Sequence, residues 1–158
     1  MTPGPVVHVI DDDEAVRESL GFLLGTAGFS VSSWPSAEAF LATAELEDDA
    51  CVVTDVRMPG MSGVELVNHL RASRSRAGVV VITGHADIPL AVQALKAGAD
   101  DFLEKPFDPP VVIEVICRAL ELSHAMQEVE QETEKLYTSA GIPADEVIRL
   151  RKIRRTPA

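Results

Sequence analysis

Cys51-Val-Val-Thr-Asp-Val-Arg-Met-Pro-Gly-Met-Ser-Gly63 is the stretch whose reading decides the fold. Its apolar run, Cys51 to Val53, ends in Thr54-Asp55, and turn chemistry follows at once in Met58-Pro59-Gly60. An Asp at the carboxyl end of a buried strand, just before a turn, stands where open α/β sheets bind ligands. An isolated buried carboxylate is costly unless something positive meets it. The chain must supply that partner.

Working outward, Val6 to Ile10 is a β-branched run of the kind buried on both faces, and it stops at Asp11-Asp12-Asp13-Glu14. Residues 13–27 carry Val16, Leu20, Leu23, Leu24 and Ala27 at helical spacing, closed by Gly28. Phe29 to Ser33 reads as a weaker strand, and Ser36 as the N-cap of a helix carrying Ala37, Phe40 and Leu41. An acidic, exposed loop over 45–49 leads into the third strand, Cys51 to Thr54. Gly63 to Ala72 is helical, with Val64, Val67 and Leu70 on one face.

Val79 to Thr83 is the clearest strand, and Gly84-His85-Ala86-Asp87 is its loop. An Ala-rich helix over 88–97 ends at Gly98. Asp101 to Glu104 is a short fifth strand, followed by Lys105-Pro106-Phe107. Pro109-Pro110 can open a helix because the first turn needs no donor there, and that helix runs through Val112, Val115, Ile116, Ala119 and Leu120. Five strands alternating with five helices predict a doubly wound α/β domain with a parallel sheet and helices on both faces.

Composition sets bounds on function. The chain has 158 residues, room for one domain and an extension, and a 46% apolar fraction that suits a folded globule. Its net charge of −11 argues against general nucleic-acid binding. The charge is uneven: residues 140–158 hold Arg149, Arg151, Lys152, Arg154 and Arg155 against Asp145 and Glu146. Cys51 and Cys117 lie in apolar patterns and read as buried small side chains, not as a disulfide or a metal site. No run approaches a membrane span and the N-terminus lacks a signal pattern, so a cytoplasmic setting without membrane contact is expected.

Asp11 and Asp12, Asp55, Thr83 and Lys105 fall at the carboxyl ends of strands one, three, four and five. In a doubly wound sheet these side chains converge at the switch point. Three carboxylates in one pocket raise one another's pKa values unless a cation sits among them. Hard oxygen ligands with room for water suit Mg2+. A carboxylate beside Mg2+ and an ammonium, with a hydroxyl nearby, has the parts for phosphoryl transfer, with Asp55 as nucleophile and Asp11 and Asp12 as metal ligands.

These residues also carry a family resemblance. Val-Ile-Asp11-Asp12-Asp13-Glu14, Thr54-Asp55-Val-Arg-Met-Pro-Gly-Met-Ser-Gly63, Val-Ile-Thr83-Gly84-His85 and Ala97-Gly-Ala-Asp-Asp-Phe-Leu-Glu-Lys105-Pro106-Phe107 resemble a two-component response regulator receiver domain. The chain is most similar to the FixJ-type branch. The resemblance implies a flavodoxin-like (βα)5 sheet of strand order 2-1-3-4-5 over residues 1–122, with a helical extension and basic tail over 123–158. It implies that Asp55 takes a phosphoryl group from the phosphohistidine of a sensor histidine kinase or phosphotransfer protein. Mg2+ is then held by Asp12, Asp55 and the main-chain carbonyl of Arg57, and by Asp11 mostly through water. Thr83 bonds the phosphoryl oxygen, Lys105 pairs with it, and Phe102 matches the aromatic switch position. Lys105-Pro106 matches a bond that is commonly cis in such domains. Catalysis is confined to self-phosphorylation and slow self-dephosphorylation at Asp55.

Plainer roles stand beside these. Asp13 reads as a helix cap and His85 as a polar residue at the rim. Only 36 residues follow Leu122, too few for a packed helix-turn-helix, so a single-domain regulator acting on a protein target is expected, without direct DNA binding. Val115, Ala119, Leu122, Met126, Val129, Thr133 and Leu136 form a heptad-like seam, open either to a solvated extension or to a homodimer through helix 109–137. Residues 144–155 read as a short basic helix. Two alternatives remain open. One is a Mg2+-dependent phosphohydrolase, disfavoured because Arg57 stands where a second aspartate would serve; the other is a transcription regulator acting through the basic tail.

Overall fold

The computed structural model describes residues 4–143 together with 145 and 146, without the side chains of 123–128, 130 and 134. The basic helix expected over 144–155, including Arg149, Arg151, Lys152, Arg154 and Arg155, lies outside the described residues. The chain divides into two compact units, Met1–Ser123 and His124–Ala158.

In the first unit, five strands form one parallel sheet in the order β2-β1-β3-β4-β5. The strands are β1 (Val6–Ile10), β2 (Ser30–Trp34), β3 (Cys51–Asp55), β4 (Gly78–Thr83) and β5 (Asp101–Glu104). Between them run α1 (Glu14–Thr26), α2 (Ala37–Thr43), α3 (Gly63–Ala72) and α4 (Ile88–Ala97), and α5 (Pro109–Ser139) follows β5. A single 3-10 turn, His85–Asp87, leads into α4. This is the doubly wound, flavodoxin-like arrangement with a C-terminal helix that the pattern predicts.

Every residue of β3 and β4 is buried, which explains why they read as continuous apolar runs. Side-chain alternation splits the core in two. Val7, Val9, Cys51, Val53, Val80, Ile82 and Leu103 pack with Leu20 and Leu24 of α1 and with Val112, Ile116 and Ala119 of α5. Ile10, Val52, Val79 and Val81 pack on the other face with Phe40 of α2, Leu66, Val67 and Leu70 of α3, and Ala91 and Ala94 of α4. Truncating a fully buried leucine such as Leu20, Leu24 or Leu66 to alanine in cores of this kind costs about 2–5 kcal/mol.

Caps begin the helices as expected. Asp13 accepts from the Ala15 N–H at the start of α1, and Ser36 from the Ala39 N–H at the start of α2. Some boundaries differ. β2 begins at Ser30, not Phe29, because the Phe29 N–H closes α1 on the Leu24 carbonyl and is lost to the ladder. The second strand therefore reaches Trp34, which pairs in register with Ile10. On α3 the buried stripe is Gly63, Leu66, Val67 and Leu70, and Val64 is only partly buried.

Cys117 is a correction. It is exposed, whereas Cys51 is buried as expected. Positions 112, 115, 116 and 119 hold the buried stripe of α5, and residue 117 is turned about 100° past Ile116, out of that stripe. The seam changes character in the same way. Val115 and Ala119 belong to the sheet core, while Leu122, Val129 and Leu136 are 48%, 51% and 69% exposed. Thr133 sits between them and turns its hydroxyl back to the Val129 carbonyl. No described helix is long and apolar enough to cross a membrane.

His8 is the one histidine inside the sheet. It is 5% exposed, and its Nδ1 accepts the Trp34 indole N–H at 3.1 Å. The Phe40 ring meets it edge-on at 5.2 Å. Burial lowers its pKa below the ordinary 6.5. The unfolded chain therefore binds the proton more readily, and stability falls as pH drops below about 6.5 toward the folded value. Denaturant unfolding of the native chain and of His8→Val at pH 7.5 and 5.5 checks this. The loss of stability on acidification should be smaller in the variant; an equal loss would mean that folded His8 titrates at its ordinary value.

Candidate functional site

The carboxyl ends of β1, β3 and β5 bring three side chains to one point. Asp11 follows Val9 by two positions, Asp55 follows Val53 by two, and Lys105 follows Leu103 by two. Strand alternation thus aims all three toward the α1 and α5 side of the sheet. Lys105 Nζ lies 3.2 Å from Asp55 Oδ2 and 3.5 Å from Asp11 Oδ2. This ammonium is the positive partner that a buried Asp55 requires. One carboxylate oxygen from each of Asp11, Asp12 and Asp55 can be chosen so that all lie within 4.8 Å of one another.

Local chemistry holds each group in place. Asp11 is fully buried; its Oδ1 accepts the Asp13 N–H at 2.9 Å, and its own N–H donates to the Trp34 carbonyl. Arg17 Nη1 donates to the Asp11 carbonyl at 2.7 Å. Asp12 is exposed at the pocket edge. Asp55 is 9% exposed, and its Oδ1 accepts the Arg57 N–H at 3.2 Å. Gly63 lies hard against β3: a Cβ there would come within 2.2 Å of the Asp55 carbonyl oxygen. No other residue leaves the Asp55 backbone where it is.

The charges are unevenly balanced. Burial pushes the Asp11 carboxyl up, and the Asp55 charge adds to this, against the opposing pull of the Asp13 N–H and Lys105. Burial works against the Lys105 ammonium, but Asp55 and Asp11 outweigh it and its pKa rises. Three hard carboxylate oxygens with only one facing ammonium suit a small divalent cation. Asp11, Asp12 and Asp55 could hold it.

Thr83 is fully buried at the end of β4 and donates its hydroxyl to the Gly84 carbonyl at 2.9 Å. It shares the alternation of Val79 and Val81, and so belongs to the α3 and α4 side. Phe102 is partly buried against that same cluster and pairs in register with Val81, two residues before Thr83. The Lys105 N–H donates to the Thr83 carbonyl at 2.8 Å, and Lys105-Pro106 is cis. His85 is at the rim, with its side chain 89% exposed and Nδ1 3.0 Å from Glu104.

Three side chains near the site carried no signal in the sequence. Arg17 braces the Asp11 backbone, Asp87 receives the Arg57 guanidinium, and Glu38 accepts the Met61 N–H. The last two partners lie 30 and 23 residues away, so no local spacing reveals them.

Because the folded state favours protonated Asp11, its ionised form at neutral pH costs stability, a cost relieved on acidification. Asp11→Asn keeps the acceptor for the Asp13 N–H and removes the buried charge. Its melting temperature at pH 7.5, in chelator, should rise by about 2–4 °C, the shift that about 1 kcal/mol produces in a chain of this size. A fall would show that the bond to Lys105 outweighs the burial.

The family model for the response regulator receiver domain matches residues 7–117. The transcriptional regulatory protein FixJ of Azorhizobium caulinodans is 55% identical over 114 residues, covering 72% of this chain and 54% of that protein. The C4-dicarboxylate transport transcriptional regulatory protein DctR of Rhodobacter capsulatus is 45% identical over 116 residues, covering 72% and 59%. The chain thus spans a little over half the length of these relatives. The crystal structure of FixJ-N superposes with a TM-score of 0.68 at 52% identity, covering 77% of this chain and 96% of that one. With its acidic cluster, its buried threonine and its lysine at the ends of a 2-1-3-4-5 sheet, the chain belongs to the response regulator receiver family of two-component systems.

Proposed function

We propose that Asp55 is the phosphoacceptor of a phosphorelay, taking a phosphoryl group from the phosphohistidine of a sensor kinase or phosphotransfer protein. The observation that carries this reading is the Lys105 ammonium set between Asp55 and Asp11, 3.2 and 3.5 Å away, beside a cluster of three carboxylates. In the transfer, an Asp55 carboxylate oxygen forms the new P–O bond while the P–N bond to the donor imidazole breaks. The imidazole nitrogen keeps the electron pair and takes a proton. Hydrolysis of the acyl phosphate by water later returns Asp55, so the reaction is self-modification rather than turnover of an outside substrate.

Asp11, Asp12, Asp55 and the Arg57 carbonyl are the Mg2+ donors in this reading, and the bound ion would neutralise charge on the transferring group. Lys105 orients the acceptor carboxylate before transfer and pairs with the phosphoryl group after it. Thr83 turns its hydroxyl from the Gly84 carbonyl to a phosphoryl oxygen. Since Phe102 lies on the same face of the sheet, that turn opens the space beside the ring and reshapes the surface made by α4 and β5. The output is then binding of a target protein. The phosphohydrolase reading has less support: the residue two beyond Asp55 is Arg57, whose side chain is committed to Asp87.

Intact mass after incubation with Mg2+ and acetyl phosphate tests the acceptor. The native chain should gain one phosphoryl group, labile to base, and Asp55→Asn should gain none. Phosphate on the variant to the native extent would remove Asp55 from the role.

We propose a second contact, a homodimer through helix 109–137. Leu122, Val129 and Leu136 recur every seventh residue and are all exposed, as a surface covered by a second copy would be. Solution mass of the full chain and of a chain cut after Leu122 decides it. The full chain should be dimeric and the cut chain monomeric; equal states for the two would remove the helix as the interface.

A further inference from the structure

The loop from Val56 to Ser62 connects β3 to α3 and carries the Arg57 peptide. Two carboxylates outside the acidic cluster hold this loop, one from α2 and one from the 3-10 turn before α4. Glu38, in the first turn of α2, accepts the Met61 N–H. Gly60 makes that reach possible. Its φ is 75°, and a Cβ built on it would lie 2.9 Å from Glu38 Oε1 and 3.1 Å from Oε2. A side chain at residue 60 would therefore expel the Glu38 carboxylate.

Arg57 donates to Asp87 Oδ1 through Nε at 3.0 Å and Nη2 at 2.9 Å. Asp87 ends the 3-10 turn that follows Thr83. The Arg57 side chain is 69% exposed, and an exposed pair adds little to global stability. Both contacts instead act on one short segment, whose Arg57 N–H lies 3.2 Å from Asp55 Oδ1.

We infer that Glu38 and Asp87 are positioning residues of the phosphoacceptor site, bracing the Arg57–Met61 segment from α2 and from the Thr83 loop. The inference rests on the proposed function in one respect: the Arg57 carbonyl on this segment is the assigned main-chain Mg2+ donor. Glu38 is the fixed brace, since α2 packs into the core through Ala37 and Phe40. Asp87 lies in the loop that follows Thr83, in the 3-10 turn that leads into α4. A displacement of that loop pulls on Arg57, and by linkage Mg2+ at the cluster resists the displacement.

Amide 1H–15N spectra of the full chain, titrated with MgCl2, test the brace. The variants are Glu38→Ala, Glu38→Gln and Asp87→Ala. Each alanine variant should bind Mg2+ about tenfold more weakly, at the lower end for groups that orient metal ligands from outside. Glu38→Gln keeps an oxygen acceptor for the Met61 N–H and should bind within about twofold of native. Hydrogen exchange at the Met61 amide should speed up in Glu38→Ala and not in Glu38→Gln, with melting temperatures unchanged within about 2 °C.

Native Mg2+ affinity in both alanine variants, or native Met61 protection in Glu38→Ala, would overturn the inference. So would equal weakening in Glu38→Gln together with a lower melting temperature, which marks a merely structural contact. Absence of Mg2+-dependent shifts in the native chain would instead sink the phosphoacceptor reading, and the Met61 exchange rates would still decide the brace.

Discussion

One ammonium facing two carboxylates is the contact on which the rest of this architecture depends. Lys105 reaches Asp55 and Asp11 only because β5 lies beside β4 in a register that sets Glu104 against Thr83. The Lys105 N–H then closes on the Thr83 carbonyl at 2.8 Å, which fixes the root of the side chain. Without this cation, Asp11 and Asp55 would face each other with no counter-charge in a pocket where Asp11 has no exposure. Burying like charges in this way is among the most expensive arrangements a fold can hold. The short edge strand β5 thus has a role out of proportion to its four residues.

The balance is deliberately incomplete in the physical sense that three carboxylates meet one ammonium. A domain selected for stability alone would bury apolar groups there. Strain of this kind is expected where a site is arranged to attract a cation or accept a charged group. The apolar layers on both faces of the sheet supply the surplus stability, and the polar network at the other end helps. There Arg71 donates to the carbonyls of Gly98, Ser75 and Ala77 and pairs with Asp100, tying α3 to the two loops below the sheet. The sheet is thus tied by a hydrogen-bonded network at that end and carries its charged cluster at the other.

Strand alternation explains which parts of the site were legible in the sequence. Continuous apolar runs marked β1, β3 and β4, and the acids at their ends marked the pocket. The sequence predicted convergence because Asp11, Asp12, Asp55, Thr83 and Lys105 all end strands at the switch point. Strand alternation, seen in the structure, puts Asp11, Asp55 and Lys105 on one side and Thr83 on the other. β2 was harder. Its Ser-rich stretch gives little periodic signal, and whether Phe29 joins the ladder depends on how α1 ends, a tertiary fact. Cys117 misled because a helix stripe was read from composition rather than from the angle between positions 116 and 117. The contacts of Glu38 and Asp87 were not legible at all, since each depends on a side chain meeting backbone or charge across the fold, and the local contact of Arg17 depends on how the chain turns from β1 into α1.

Energy scale separates the two kinds of contact. Burial of β3 and β4 is worth many kcal/mol and sets one sheet, whereas exposed pairs such as Arg57–Asp87 and His85–Glu104 add little to stability. Both of these pairs hold the segment from His85 to Asp87, one toward the acceptor loop and one toward β5. Where the contacts of a segment are weak, two positions can lie close in free energy, and a group that binds one position better shifts the population. Moving such an equilibrium from 1:99 to 99:1 takes about 5.5 kcal/mol of differential binding. In the proposed reading, a dianionic group at Asp55 would contribute to that difference through charge-assisted contacts with Lys105 and the Thr83 hydroxyl. Strong burial therefore fixes where Asp55 stands, while weaker pairs join the neighbouring loop to it.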